Sequence, residues 1–221
     1  MSVSQSLSRS ELRISEIFLS LQGESRSAGW PTVFVRLTGC PLRCVYCDTT
    51  YAFKGGRGLS LDEIEARVKG YGVRHVTVTG GEPLAQKNCL QLLERLCDLG
   101  CEVSLETSGA IEVSGVDPRV VKVMDLKTPS SGEMARNLPE NIEYLSPQDQ
   151  VKFVIGDQAD YRWSCEQLRE HGLAERCEVL FSPVQGQLRA TDLADWIVRD
   201  RLPVRFQVQL HKLLWGDEPG R

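Results

Sequence analysis

The sequence predicts an α/β fold organised around a mostly parallel sheet, and three observations carry that prediction. From Pro31 onward, short runs rich in Val, Ile and Leu alternate with segments of helical periodicity. No Gly/Pro-rich linker, low-complexity block or internal repeat interrupts the alternation. A chain of 221 residues with 41% hydrophobic content can bury one core without cross-links. In such folds the functional loops converge at the C-terminal ends of the strands.

Taken in order, residues 1–10 are serine-rich and read as a mobile leader, followed by one domain over 11–221. A strand is expected around 14–20, and further strands at 32–37, 75–79, 102–106, 120–125, 150–155, 178–181 and 204–210. The first helix opens at Ser60, three residues before Glu63, a spacing that lets each residue satisfy a backbone N–H of the other. Further helices fit 86–99, ending at Gly100, and 159–171 and 191–200.

Composition narrows the function classes. No run of about 18 apolar residues is present, nor the apolar stretch of a signal peptide, so a soluble cytoplasmic protein is expected. A net charge of -4 without any Lys/Arg block argues against nucleic acid as partner and favours a small molecule. The eight cysteines, in a chain of this length with ample core residues, are expected to be reduced thiols.

Three of those thiols are packed into Cys40-x3-Cys44-x2-Cys47, directly after the strand at 32–37. Thiolates suit zinc and iron–sulfur clusters alike, but structural zinc is closed by four protein ligands, and no fourth cysteine or histidine follows nearby. A zinc site borrowing His75 or Cys89 is the alternative; an open-coordinated cluster fits the spacing better. Cys89, Cys97, Cys101, Cys165 and Cys177 read as core packing. A second strand ends in Gly80-Gly81-Glu82-Pro83, which alone would be an ordinary strand-to-helix turn.

The two motifs together resemble the radical S-adenosylmethionine superfamily. That resemblance implies a trimmed, partial βα barrel of about six or seven mostly parallel strands, holding one 4Fe-4S cluster on Cys40, Cys44 and Cys47. It also implies S-adenosyl-L-methionine bound at the open iron and cleaved by one electron to a deoxyadenosyl radical, with an external donor such as flavodoxin or ferredoxin. Gly81 and Glu82 would receive the methionyl ammonium, and Tyr46 would lie beside the adenine or simply pack the loop.

Across nearly the whole length the chain is similar to the 7-carboxy-7-deazaguanine synthase family, in the segments Ser20 to Glu24, Phe34 to Leu37, Cys47 to Thr49, Val78 to Pro83, Glu106 to Gly109, Asp125 to Lys127, Ser146-Pro147 and Gln209 to Lys212. The family implies conversion of 6-carboxy-5,6,7,8-tetrahydropterin to 7-carboxy-7-deazaguanine, with ring contraction and loss of ammonia, in queuosine and deazapurine biosynthesis. It also implies a homodimer and Mg2+, with Thr49 as magnesium ligand. Arg36, in an otherwise apolar strand, would grip the substrate carboxylate through a planar fork or else form a strand-end ion pair. Leu21, Gln22, Gly23 and Thr79 would meet the pterin, and Ser146, Pro147 and Gln148 the cofactor. His211 would reach the cofactor or cap the last strand, and the tail 215–221 would fold over the substrate or else be disordered. A glycyl-radical activase acting on a partner protein and a non-catalytic zinc-binding module are the competing readings.

Overall fold

The computed structural model describes residues 11–216, 218 and 220; the leader at 1–10 and Asp217, Pro219 and Arg221 of the tail lie outside the described residues. Among the described residues nine strands form one sheet: β1 (Glu11–Leu21), β2 (Pro31–Leu37), β3 (Arg57–Ser60), β4 (His75–Gly80), β5 (Glu102–Thr107), β6 (Val121–Asp125), β7 (Gln150–Ile155), β8 (Glu178–Pro183) and β9 (Arg205–Phe206). Their spatial order is β3-β1-β2-β4-β5-β6-β7-β8-β9, parallel from β2 through β9, with β1 and β3 added antiparallel at one edge.

The helices are α1 (Leu61–Tyr71), α2 (Cys89–Asp98), α3 (Gln158–Glu170), α4 (Leu173–Arg176), α5 (Ala190–Asp200) and α6 (Leu210–Trp215). The crossover from β5 to β6 contains no helix, and that from β6 to β7 only short 3-10 turns. The chain thus encloses a barrel wall in few residues by dispensing with outer helices on one flank. The expected capping box is formed: Ser60 N donates to Glu63 Oε2 at 2.8 Å and Glu63 N to Ser60 Oγ at 3.2 Å.

Two expectations are corrected. The Gly-rich approach to Ser60 conceals β3, which pairs with 11–14 of β1. The strand expected at 204–210 is only two residues long, because β9 is an edge strand and Leu210 already opens α6. There Leu210 N donates to Gly23 O at 3.0 Å, drawing the chain off the sheet and across the barrel mouth.

Alternation along each strand divides apolar from polar. On β4, Val76 and Val78 pack outward with Leu92, Leu93 and Leu96 of α2, while Thr77 and Thr79 point inward; on β5, Val103 and Leu105 face out and Ser104 and Glu106 in. A second core joins Val151, Phe153, Val179 and Phe181 to Leu168 and Leu193. In β1 a bulge between Ile14 and Glu16 changes the face: Ile14 pairs with Leu37 on the core side, but Glu16 pairs with Arg36 on the inner side. Strands β1, β2 and β4 to β8 thereby present polar or aromatic side chains to the interior, whereas β3 at the edge contributes none.

Candidate active site

The interior is a cavity of about 660 Å³, within the range of small-molecule and cofactor sites. It is lined at the C-terminal ends of the parallel strands, where all three clustered cysteines converge. The cysteine loop leaves β2 through Gly39, at a φ of 101°, and is tied at both ends. Gly39 N donates to Ala52 O at 2.8 Å and Val45 N to Ser131 O at 3.0 Å, while Arg43 Nη1 donates to Cys40 O at 2.8 Å.

Cys40, Cys44 and Cys47 are half-buried free thiols. Burial pushes the Cys40 and Cys44 thiols above their ordinary range, against the nearby Lys127 ammonium, a cost that a bound cationic cluster reverses. Among the described residues no three His, Cys, Asp or Glu side chains converge on a single metal ion. The suggested fourth ligands are elsewhere: Cys89 is fully buried in the α2 core, and His75 lies at the opposite end of β4, bonded to Glu102 at 3.1 Å.

The glycine turn is fastened to that loop. Glu82 N donates to Gly39 O at 2.8 Å and Gly81 N to Leu37 O at 3.1 Å, and a β-carbon on Gly81 would overlap Gly39 and Cys40. Gly81 lines the cavity. Glu82 does not present its carboxylate there, which corrects that part of the expectation: at 0% exposure it accepts from Ser108 N at 2.7 Å, Ser108 Oγ at 2.5 Å, Thr107 Oγ1 at 2.9 Å and Leu84 N at 3.1 Å. Its part is to clamp the turn after β4 to the end of β5.

Around this centre stand most of the other expected residues. Leu21, Gln22, Arg36, Tyr46, Thr49 and Thr79 all line the cavity. Gln22 Nε2 donates to Thr77 Oγ1 at 3.0 Å and reaches Glu106 Oε1 at 3.4 Å, and Thr79 Oγ1 donates to Glu106 Oε2 at 2.8 Å. Arg36 combines both of its readings: it faces the cavity, yet its Nε donates to Glu16 Oε1 at 2.6 Å, with Tyr51 OH on the same oxygen at 2.8 Å. Burial pushes the Tyr46 phenol up to about 12, so it stays neutral. Thr49 Oγ1 donates to Asp48 Oδ1 at 2.8 Å, while Gln209 Nε2 at 3.1 Å and Lys212 Nζ at 3.6 Å face Asp48 Oδ2. Partial desolvation would raise the Asp48 pKa, but those donors outweigh it and hold the carboxyl below its usual range.

Besides Glu82, four of the expected residues fall outside the cavity lining. Ser146, Pro147 and Gln148 precede β7, at the end of the sheet remote from the cysteines, where Ser146 bonds Asp149 at 2.8 Å and Gln148 bonds Pro118 O at 2.6 Å. The Ser-Pro that lines the cavity is Ser182-Pro183, closing β8; its position directly after the apolar run Val179-Leu180-Phe181 was the available signal. Gly23 is likewise not in the lining but beneath α6, where a β-carbon would overlap the His211 ring. His211 itself sits in α6 and lines the mouth, rather than capping a strand. Sequence reasoning assigned no site role to Glu24, Asp125, Lys127 and Lys152, which are charged lining residues; Glu24 and Asp125 to Lys127 lay within the segments of family resemblance, and inward position on β7 was the signal for Lys152.

Comparison with known proteins follows this geometry. Residues 34–126 match the Radical SAM superfamily profile. The chain is 48% identical over 210 residues to the 7-carboxy-7-deazaguanine synthase of Chlorobaculum tepidum, covering 94% of this chain and 96% of the relative. It is 44% identical over 222 residues to that of Koribacter versatilis, covering 94% and 98%. Among solved structures, QueE from Escherichia coli superposes with a TM-score of 0.75 at 25% identity, covering 91% of this chain and 95% of that one. The SuiB structure from Streptococcus suis, bound to S-adenosylmethionine, shares the fold at a TM-score of 0.53 and 15% identity, over 76% of this chain and 44% of that one.

Proposed function

From the premise that this chain belongs to the 7-carboxy-7-deazaguanine synthase family of radical S-adenosylmethionine enzymes, we propose that its cavity converts 6-carboxy-5,6,7,8-tetrahydropterin to 7-carboxy-7-deazaguanine. The observation that carries the reading is the meeting, in one cavity of about 660 Å³, of three open thiols with a polar wall containing Arg36. When bound, the cluster and S-adenosyl-L-methionine supply one-electron carbon–sulfur cleavage and the hydrogen abstraction that starts the reaction.

The chain's own residues bind, orient and shield. Cys40, Cys44 and Cys47 hold the cluster, and the backbone of Gly81, with Tyr46 and Ser182-Pro183, frames the cofactor. Arg36, already steered by Glu16, offers its planar fork to the substrate carboxylate. Gln22 and Thr79, fixed on Glu106, read the ring edge. The Thr49 hydroxyl spends its proton on Asp48 and keeps its lone pairs for Mg2+, an ion that accepts a single protein oxygen when substrate and water supply the others. Helix α6 limits solvent access at the mouth.

A partner supplies the electron, flavodoxin or ferredoxin by chemistry, and the enzyme works as a cytoplasmic homodimer. Among the described residues no helix is long and apolar enough to cross a membrane. Anaerobic reconstitution with iron and sulfide, followed by S-adenosylmethionine, Mg2+ and carboxytetrahydropterin, should give carboxydeazaguanine by mass analysis. Cofactor cleavage without that product would overturn the substrate assignment.

A further inference from the structure

Across the floor of the cavity runs a line of alternating charge that none of the roles above requires. Lys152, inward on β7, donates to Glu24 Oε2 at 2.7 Å and lies 3.8 Å from Asp125 Oδ2, which in turn meets Lys127 at 2.9 Å. All four side chains line the cavity and are only 12–15% exposed. Glu106, inward on β5, adds a third carboxylate within electrostatic reach of Lys152. Glu106 is bonded by the neutral donors Gln22 and Thr79, so Lys152 is the cation these carboxylates share, apart from Lys127 on Asp125.

A buried ammonium is expensive unless its partners compensate it. Here desolvation is outweighed by Glu24, Asp125 and Glu106, and the group is held well above its ordinary pKa. The compensation is mutual. Without Lys152, Glu24 loses its 2.7 Å partner and the wall gains net negative charge in a poorly solvated space, where Coulomb terms persist over the width of a small ligand. Arg36 cannot replace it, because Glu16 already faces its guanidinium at 2.6 Å.

We propose that Lys152 is a specificity-determining positioning residue, whose ammonium, with Lys127 on Asp125, leaves the Glu24–Asp125–Glu106 wall one net negative charge instead of two and so shifts the cavity's preference toward a carboxylated over an uncharged ligand. The inference deepens the carboxypterin reading and rests on it.

The test compares equilibrium affinities of the cluster-loaded enzyme for carboxytetrahydropterin and for tetrahydropterin lacking the carboxylate, measured anaerobically without reductant, so that no turnover occurs. Lys152→Met should lower the preference for the carboxylated ligand on the order of tenfold, while cluster absorbance and S-adenosylmethionine affinity stay near wild type, and Lys152→Arg should restore the preference. Glu24→Gln, which removes negative charge and keeps the ammonium, should preserve or raise it, and this arm decides the matter if Lys152→Met does not fold. Equal weakening of both ligands in Lys152→Met, or a lowered preference in Glu24→Gln, overturns the proposal. If the wild type shows no preference for the carboxylated ligand, the substrate reading itself fails, a result distinct from either.

Discussion

His211 lies against Gly23 so closely that any β-carbon at position 23 would enter its imidazole ring. The same contact carries the hydrogen bond from Leu210 N to Gly23 O at 3.0 Å, so Gly23 is the seat on which α6 closes the mouth. Gly23→Ala should displace α6 while leaving the barrel intact: cluster content unchanged, global stability lowered by about 1–3 kcal/mol, and product formation reduced far more than cofactor cleavage. Coupled turnover at the wild-type level would show that the seat is dispensable.

Cys44→Ala removes a loop thiol that no core contact depends on. The variant should be soluble, with wild-type far-ultraviolet circular dichroism, yet lack the brown colour of the cluster and yield no deoxyadenosine. Full iron and sulfide content after reconstitution would refute the ligand assignment.

Arg36→Lys keeps a positive charge beside Glu16 but gives up the planar fork, and charge-assisted bidentate contacts are the stronger kind. Substrate affinity should fall roughly tenfold with little change in S-adenosylmethionine affinity. Unchanged substrate affinity by calorimetry would leave Arg36 only its pairing with Glu16.

For magnesium, Thr49 and Asp48 are separable because their side chains bond to each other at 2.8 Å yet differ in partners. Thr49→Val should keep the cluster and uncoupled cofactor cleavage while abolishing stimulation of product by Mg2+. Should Asp48→Asn instead abolish stimulation and Thr49→Val retain it, the metal belongs to the carboxylate.

Glu82→Gln tests the clamp. All of the partners named for its carboxylate are donors, the Ser108 and Leu84 backbone N–H groups among them, and an amide would turn its own N–H₂ toward some of them. Denaturant unfolding should show a loss of about 2–4 kcal/mol. A stable variant with weakened S-adenosylmethionine binding would return Glu82 to the cofactor.

What could be read from the sequence follows the range of the interactions involved. Strands such as Gln150–Ile155 and the Ser60–Glu63 cap announce themselves because burial alternation and capping are local. The cysteine loop and the Gly80-Gly81 turn are legible because their chemistry is concentrated in a few adjacent residues. Ser146-Pro147 misled because a dipeptide carries no information about which end of a strand it occupies; Ser182-Pro183 has the same letters at the other end. The two-residue β9 was overestimated because 204–210 keeps an apolar pattern that serves first the sheet edge and then α6. Lys152 passed unnoticed because a lysine in a strand reads as a solvated face, and only the three-dimensional arrangement of the open sheet around the cavity turns that face inward.

The bulge in β1 has a consequence for how the gene can change. Ser15 is the unpaired residue between Ile14, opposite Leu37, and Glu16, opposite Arg36. Removing Ser15 would leave Ile14 outward and Glu16 inward, since the two would then be ordinary neighbours in a regular strand. Removing a residue further along, Ile17 for instance, would turn Phe18 out of its stack with Phe34, at 5.1 Å, and send Leu19 into the cavity. Of the possible one-codon losses across this strand, the one at the bulge is uniquely in phase with both faces, so length variation in β1 among functional descendants of this chain should concentrate there.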